Sequence, residues 1–300
     1  KGAAGTCDRK CAENIVAYLD ATFWTDSPQY NEEISCSAPI NYGARQLRFL
    51  TREEYQNTVN SLMGSGFTAD SLPGDATLGH FVSNTQRVMN SGAYEQYLLT
   101  AEKIAKWSAD KNFSGVVSCN NNFNQDCATK LISEFAPKVF RRSLDNQEKT
   151  IYTAMANGSK TSGDVKAGMA LALEAMLSSP QFLYRHEVGE KNPANTALAN
   201  DGYQLTPYEM ATWLAYTYTN TTPDAQLLSK AASGALAQES EIRSEISKLI
   251  SSTAFKQMLS TFLHNWLATD SFNNVAKDPA TYPNLYFSAL IPHMQQELSI

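Results

Sequence analysis

The sequence predicts an all-α protein, built of multi-helix bundle modules joined by long irregular loops. Three observations predict it. Apolar residues recur at the i, i+3, i+4, i+7 spacing along most ordered stretches. Cap residues with a Glu three positions on stand ahead of several of those stretches. No segment shows the strict apolar–polar alternation of a half-buried strand.

In chain order, Ala12–Trp24 is a helix with Ile15, Tyr18, Leu19 and Phe23 on one face. A linker with Pro28, Cys36 and Pro39 follows. Thr51-Arg-Glu-Glu54 is a capping box ahead of Tyr55, Val59, Leu62 and Met63, and Gly64 and Gly66 close that helix. Residues 64–92, rich in Gly, Ser, Asn and Asp, read as irregular. Tyr94–Ser108 is helical through Tyr97, Leu98, Ala101, Ile104 and Ala105. Ala128–Phe140 is another helix, kinked or split by Pro137. Asp145 caps a helix that runs to Gly158.

The chain is organised around Gly168–Glu187, reading GMALALEAMLSSPQFLYRHE. Val165, Met169, Ala172, Leu173 and Met176 form the core-facing stripe of an amphipathic helix. Pro180 cannot extend that helix, and it turns the chain into Phe182, Leu183 and Tyr184. Arg185, His186 and Glu187 follow as the densest ionisable cluster in the sequence. Beyond a second linker, Gly189–Gly202, Thr206-Pro207-Tyr208-Glu209 starts a helix with Pro at its first position. Thr222-Pro223 starts another that ends before Gly234, and Glu239–Ile250 and Ala254–Ala268 are amphipathic. A final helix from Leu285 is still running at Ile300 with no stop signal.

Composition bounds the function. The chain of 300 residues is 43% hydrophobic and 18% charged, with a net charge of −6. That balance is globular and argues against a nucleic acid bound through its phosphates, which needs a basic face. No apolar run approaches the roughly 20 residues of a membrane span. An Asn-, Ser- and Thr-rich chain suits a periplasmic, extracellular or cell-surface protein. Local disulfides Cys119–Cys127, around CNNNFNQDC, and Cys7–Cys11 fit an oxidising compartment, with buried thiols as the other reading. Cys36 is left without an obvious mate.

The series RFLTREEYQNTVNSLMG, LPGD and YEQYLLTAEKIAKWS, then CNNNFNQDCATKLISEFAPKVFRRSLDNQE and LSSPQFLYRHE, resembles a family. So does LTPYEMATWLAYTYTNTTPDAQLLSKAASGAL with FLHNWLATD and HMQQEL. Together they resemble the tandem planctomycete-type domain-of-unknown-function modules, the DUF 1587, 1595 and 1592 series. The resemblance runs from about Gln46 to Ile300. It implies a first helical module over 46–110, a second over 111–188 with the SPQFLYR segment, and a third over 189–300. Residues 1–45 are similar to the tail of a cytochrome-type domain, without a CxxCH haem site. The chain departs from the family's Arg-Arg-Pro-Leu at Arg141-Arg142-Ser143-Leu144. The resemblance implies a larger secreted protein, with haem c on an adjoining domain or partner chain. It also implies that the rest of that polypeptide, or a second chain, packs on the C-terminal helix.

No motif names a chemistry by itself. Arg185, His186 and Glu187 are the weak catalytic candidates, since His titrates near neutrality and a neighbouring carboxylate tunes it. The competing reading ties Arg185 and Glu187 into salt bridges, because adjacent residues on one segment point different ways. Arg141-Arg142 binds an anion or satisfies the last carbonyls of a helix. Asp110, Asn112 and Ser114, with Gly115, match the opening of a calcium loop, but its twelfth position is Asn121 rather than Glu. Two functions follow as expectations. One is a module of a redox-associated protein acting with a c-type haem domain, in electron transfer or oxidative polymer breakdown. The other is a non-catalytic binding or scaffold module for a glycan or protein partner.

Overall fold

A computed structural model describes residues 47–85, 89–191 and 203–268, together with 278, 280, 281 and 293. The helices expected over Ala12–Trp24 and, His293 apart, Leu285–Ile300, with Cys7, Cys11 and Cys36, lie outside the described residues. The described residues form a single compact unit.

Helix α1, Arg52–Met63, begins at Thr51 with both halves of the capping box made and ends at Gly64 in the left-handed conformation. Helix α2, Ser91–Asp110, buries Tyr97, Ala101, Ile104 and Ala105, whereas Leu98 stays exposed. Pro137 splits the next helix: α3, Gln125–Lys130, passes through a π-helical turn, Leu131–Phe135, into α4, Ala136–Phe140. A proline has no N–H to give to the preceding turn, and the widened turn absorbs that mismatch. Helix α5, Asn146–Ala156, carries the capping box of Asp145 and Glu148. Helix α6, Val165–Leu177, buries Met169, Ala172, Leu173 and Met176.

Pro180 does not simply break the chain. It occupies the first turn of a short helix, α7, Pro180–Leu183, capped by Ser179, because its missing N–H falls where no helical bond is needed. Helix α8, Pro207–Thr219, starts with a full capping box at Thr206. The next, α9, Ala225–Ala232, is capped by Asp224 rather than Thr222. Helices α10, Glu239–Ile250, and α11, Thr253–Trp266, complete the described helices.

The described residues are mostly helical, with a few short strands. Strand β1, Arg48–Phe49, pairs antiparallel with β4, Tyr184–Arg185, with Arg48 opposite Arg185. Strands β2, Ala76–Leu78, and β3, Phe81–Ser83, form a hairpin inside the stretch expected to be irregular. Strands β5, Glu190–Lys191, and β6, Tyr203–Gln204, pair across the expected linker.

Two cores result. The larger runs from Phe49 to Leu183 and takes in Tyr216 of α8. The smaller holds Ala211, Leu214, Ala215, Leu227, Ala231 and Leu236. Helix α8 thus serves both cores, with Tyr216 reaching into the first.

Candidate functional site

The β4 register decides the fate of the ionisable triplet. At the end of β4, Arg185 is buried and so is Glu187 two positions on, while His186 between them stays exposed. Arg185 donates from Nη1 to Glu54 Oε1 at 3.0 Å and from Nε to Glu187 Oε1 at 2.7 Å. All three groups are at most 5% exposed. Arg48 approaches Glu187 from the surface at 3.8 Å. The second Glu54 oxygen, Oε2, accepts the Thr51 N–H of the capping box. Burial raises the Glu54 carboxyl above its usual range, against the pull of Arg185.

Arg141, in the left-handed position that ends α4, is also buried. It does cap a helix end, though not its own: Nη2 donates to the carbonyls of Gln181, Phe182 and Tyr184 around the end of α7. Its Nη1 donates to Tyr216 Oη at 3.2 Å, and that hydroxyl also bonds Thr58 Oγ1 at 2.8 Å. The Tyr216 ring has the guanidinium carbons of Arg185 and Arg141 at 5.0 and 5.6 Å from its centroid. Arg142 instead pairs both its Nη groups with Glu148, at 2.8 and 2.7 Å. These residues form a buried, ion-paired joint between α1, the β4 segment and α8.

His186 faces an open cleft of about 580 Å³, together with Arg142, Ser143, Glu190, Tyr208 and Glu209. Partial desolvation there, with the Arg141 and Arg142 guanidinium groups, holds its pKa below the ordinary 6.5. The cleft's polar groups are largely spent on one another. Ser143 Oγ bonds Tyr208 Oη at 2.9 Å, and Glu209 Oε1 accepts the N–H groups of Val188 and Gly189 at 3.0 Å.

The Asp110 loop is put to another use. Asp110 ends α2 and Asn112 Oδ1 accepts from Lys166 Nζ at 2.7 Å, an ammonium where a cation ligand was expected. Phe113 in the same loop is fully buried, and Gly115 passes so close that a Cβ would lie 2.7 Å from the Met63 carbonyl. Among the described residues no group of three or more His, Cys, Asp or Glu could hold a metal ion. Cys119 and Cys127 form a disulfide, with Cα atoms 5.5 Å apart. His80 is exposed in a turn, and His264 lies on α11.

A second concavity has no counterpart in the sequence reading. A groove of about 550 Å³ lies between the 65–71 segment and α2, lined by Ser65, Phe67, Thr68, Ser71, Thr100, Lys103, Ile104 and Trp107. Asn60 positions the segment: its amide donates to Phe67 O, and its Oδ1 accepts from Ser65 Oγ and Phe67 N. The one signal in the sequence was Lys103 and Trp107, four apart on α2 and outside its buried stripe.

Three family models match this chain in tandem, each described as a protein of unknown function. PSD3 (DUF1587) matches residues 48–109, PSD5 (DUF1595) matches 127–187 and PSD4 (DUF1592) matches 205–300. The chain carries these three modules in tandem. The joint draws on all of them: Glu54 and Thr58 come from DUF1587, Arg141, Arg185 and Glu187 from DUF1595, and Tyr216 from DUF1592. The groove lies wholly within DUF1587. No curated protein and no solved structure matches the chain.

Proposed function

We propose that the chain is a non-catalytic binding module for a glycan, with the DUF1587 groove as its site, in a periplasmic, extracellular or cell-surface setting. The observation that carries this is the make-up of the groove wall. Trp107 and Phe67 stand beside the hydroxyls of Ser65, Thr68 and Ser71, the first bonded to Asn60 and the last facing the buried Thr100. A pyranose has an apolar C–H face and a rim of hydroxyls, so it suits a wall that mixes aromatic surface with small donors and acceptors. The size of the groove falls within the range of small-ligand sites. The joint supports the same reading, because Arg185 and Glu187 are engaged in holding the modules together rather than facing solvent. The disulfide is compatible with a non-cytoplasmic protein.

Work beside a haem domain, which the family resemblance implies, places the redox chemistry on a neighbouring domain and leaves this role intact. A visible absorbance spectrum of the natively purified full-length protein tests that part. The binding role is tested by calorimetry against soluble oligosaccharides with the wild type and Trp107→Ala. Binding by the wild type and a loss of tenfold or more in the variant are expected. No binding to any oligosaccharide, or equal binding by both proteins, overturns the proposal.

A further inference from the structure

We infer that the groove selects an acidic saccharide, a uronate unit whose carboxylate sits on Lys103. The inference rests on the glycan reading and deepens it. Lys103 is the one charged side chain among the residues that line the groove. It is exposed and, among the described residues, makes no ion pair. The cleft beside His186 is different: Arg142 there is committed to Glu148, and Glu190 and Glu209 also line it. A cation in the DUF1587 groove is left without a carboxylate in the wall, and the ligand is the group that can supply one.

The placement suits one sugar ring. Lys103 and Trp107 lie one helical turn apart on α2, so their side chains share a face. A ring resting against Trp107 puts an exocyclic carboxylate within the sweep of the Lys103 stem. Its hydroxyls then meet Thr68 and Ser71 on the opposite wall. A neutral hexose keeps the aromatic and hydroxyl contacts and lacks the charged one. The net charge of −6 opposes an anionic ligand, so a preference for one has to come from a local contact.

Calorimetry with a galacturonate trimer and a neutral glucose trimer, on the wild type, Lys103→Met, Lys106→Met and Trp107→Ala, tests this. The uronate trimer is expected to bind about three- to tenfold more tightly than the neutral one, as for one exposed charge-assisted contact. That preference should disappear in Lys103→Met, persist in Lys106→Met and shrink with added salt. Trp107→Ala should weaken both ligands. Equal affinity of the wild type for both trimers, or an undiminished preference in Lys103→Met, overturns the inference while leaving a glycan site standing. Equal losses in Lys103→Met and Lys106→Met overturn it as well, since they mean diffuse attraction. Failure of both trimers to bind overturns the inference, and the binding role falls with it only if no other soluble oligosaccharide binds either. Lys103 and Trp107 are at the surface, so a melting curve for each variant that matches the wild type confirms that folding is intact.

Discussion

Glu54 divides its two oxygens between different tasks: one closes the capping box of α1 and the other neutralises Arg185, 131 positions away. Removing the cation alone leaves two buried carboxylates without their shared partner. Arg185→Met is therefore expected to lower stability by about 3–5 kcal/mol, the usual cost of breaking one side of a buried pair. The shift of the denaturation midpoint measures it, and a loss under about 1 kcal/mol overturns the role assigned to the joint. The next residue in the chain behaves differently. His186 has its pKa lowered by desolvation and by two guanidinium groups, so the folded chain disfavours its charged form. Its contribution is complete above the unfolded value near 6.5 and is lost as pH falls through the folded value. Imidazole resonances followed by NMR should give a midpoint below 6.5, moving up in Arg142→Gln. A midpoint at or above 6.5 counts against this electrostatic picture.

Helices α5 and α6 meet at Gly168, where an added Cβ would lie 2.7 Å from the carbonyls of Met155 and Ala156 and from the Gly158 nitrogen. Helix propensity alone favours Ala there by about 1 kcal/mol. Backbone atoms cannot step aside as a flexible side chain does, so Gly168→Ala is expected to destabilise by about 1–3 kcal/mol. A raised melting temperature would show that the helices can separate at little cost. The helices themselves were legible, because capping boxes at Thr51, Asp145 and Thr206 and the stripe from Met169 to Met176 are local signals. The short strands were not. Two- and three-residue strands cannot display an alternation, and the hairpin leaves Leu78 and Val82 exposed at 64% and 46%. The disulfide was legible from the seven-residue, mostly polar loop between its cysteines. Replacing both its cysteines by serine should cost about 2–3 kcal/mol on a loop-closure estimate for so short a ring, measured by denaturant unfolding.

For the molecule as a whole, the sequence could mark Arg185, His186 and Glu187 as a dense cluster but could not show what they join. Thr58 and Tyr216 are 158 positions apart, and Arg141 and Tyr216 are 75, so no periodicity within an element links them. The groove escaped for a related reason: its walls come from a glycine-rich segment and from the less apolar side of α2. The joint has a consequence for cooperativity. DUF1587 and DUF1595 share the larger core, whereas most of α8 packs in the smaller one with α9. Tyr216 bridges them, with its ring beside two buried guanidinium groups and its hydroxyl tied to Thr58. Coupling through such a residue makes the two cores unfold together, so scanning calorimetry of the wild type should show one transition with equal calorimetric and van't Hoff enthalpies. Tyr216→Ala removes the ring and leaves Arg141 without its hydroxyl partner, a change of about 3–5 kcal/mol for a buried aromatic. The smaller core, which holds little apolar surface of its own, should then melt first as a separate peak. Tyr216→Phe keeps the ring and should preserve a single transition at a slightly lower temperature. Two peaks in the wild type would mean that the two cores are not coupled, and one peak in Tyr216→Ala would mean that they are coupled through some other contact.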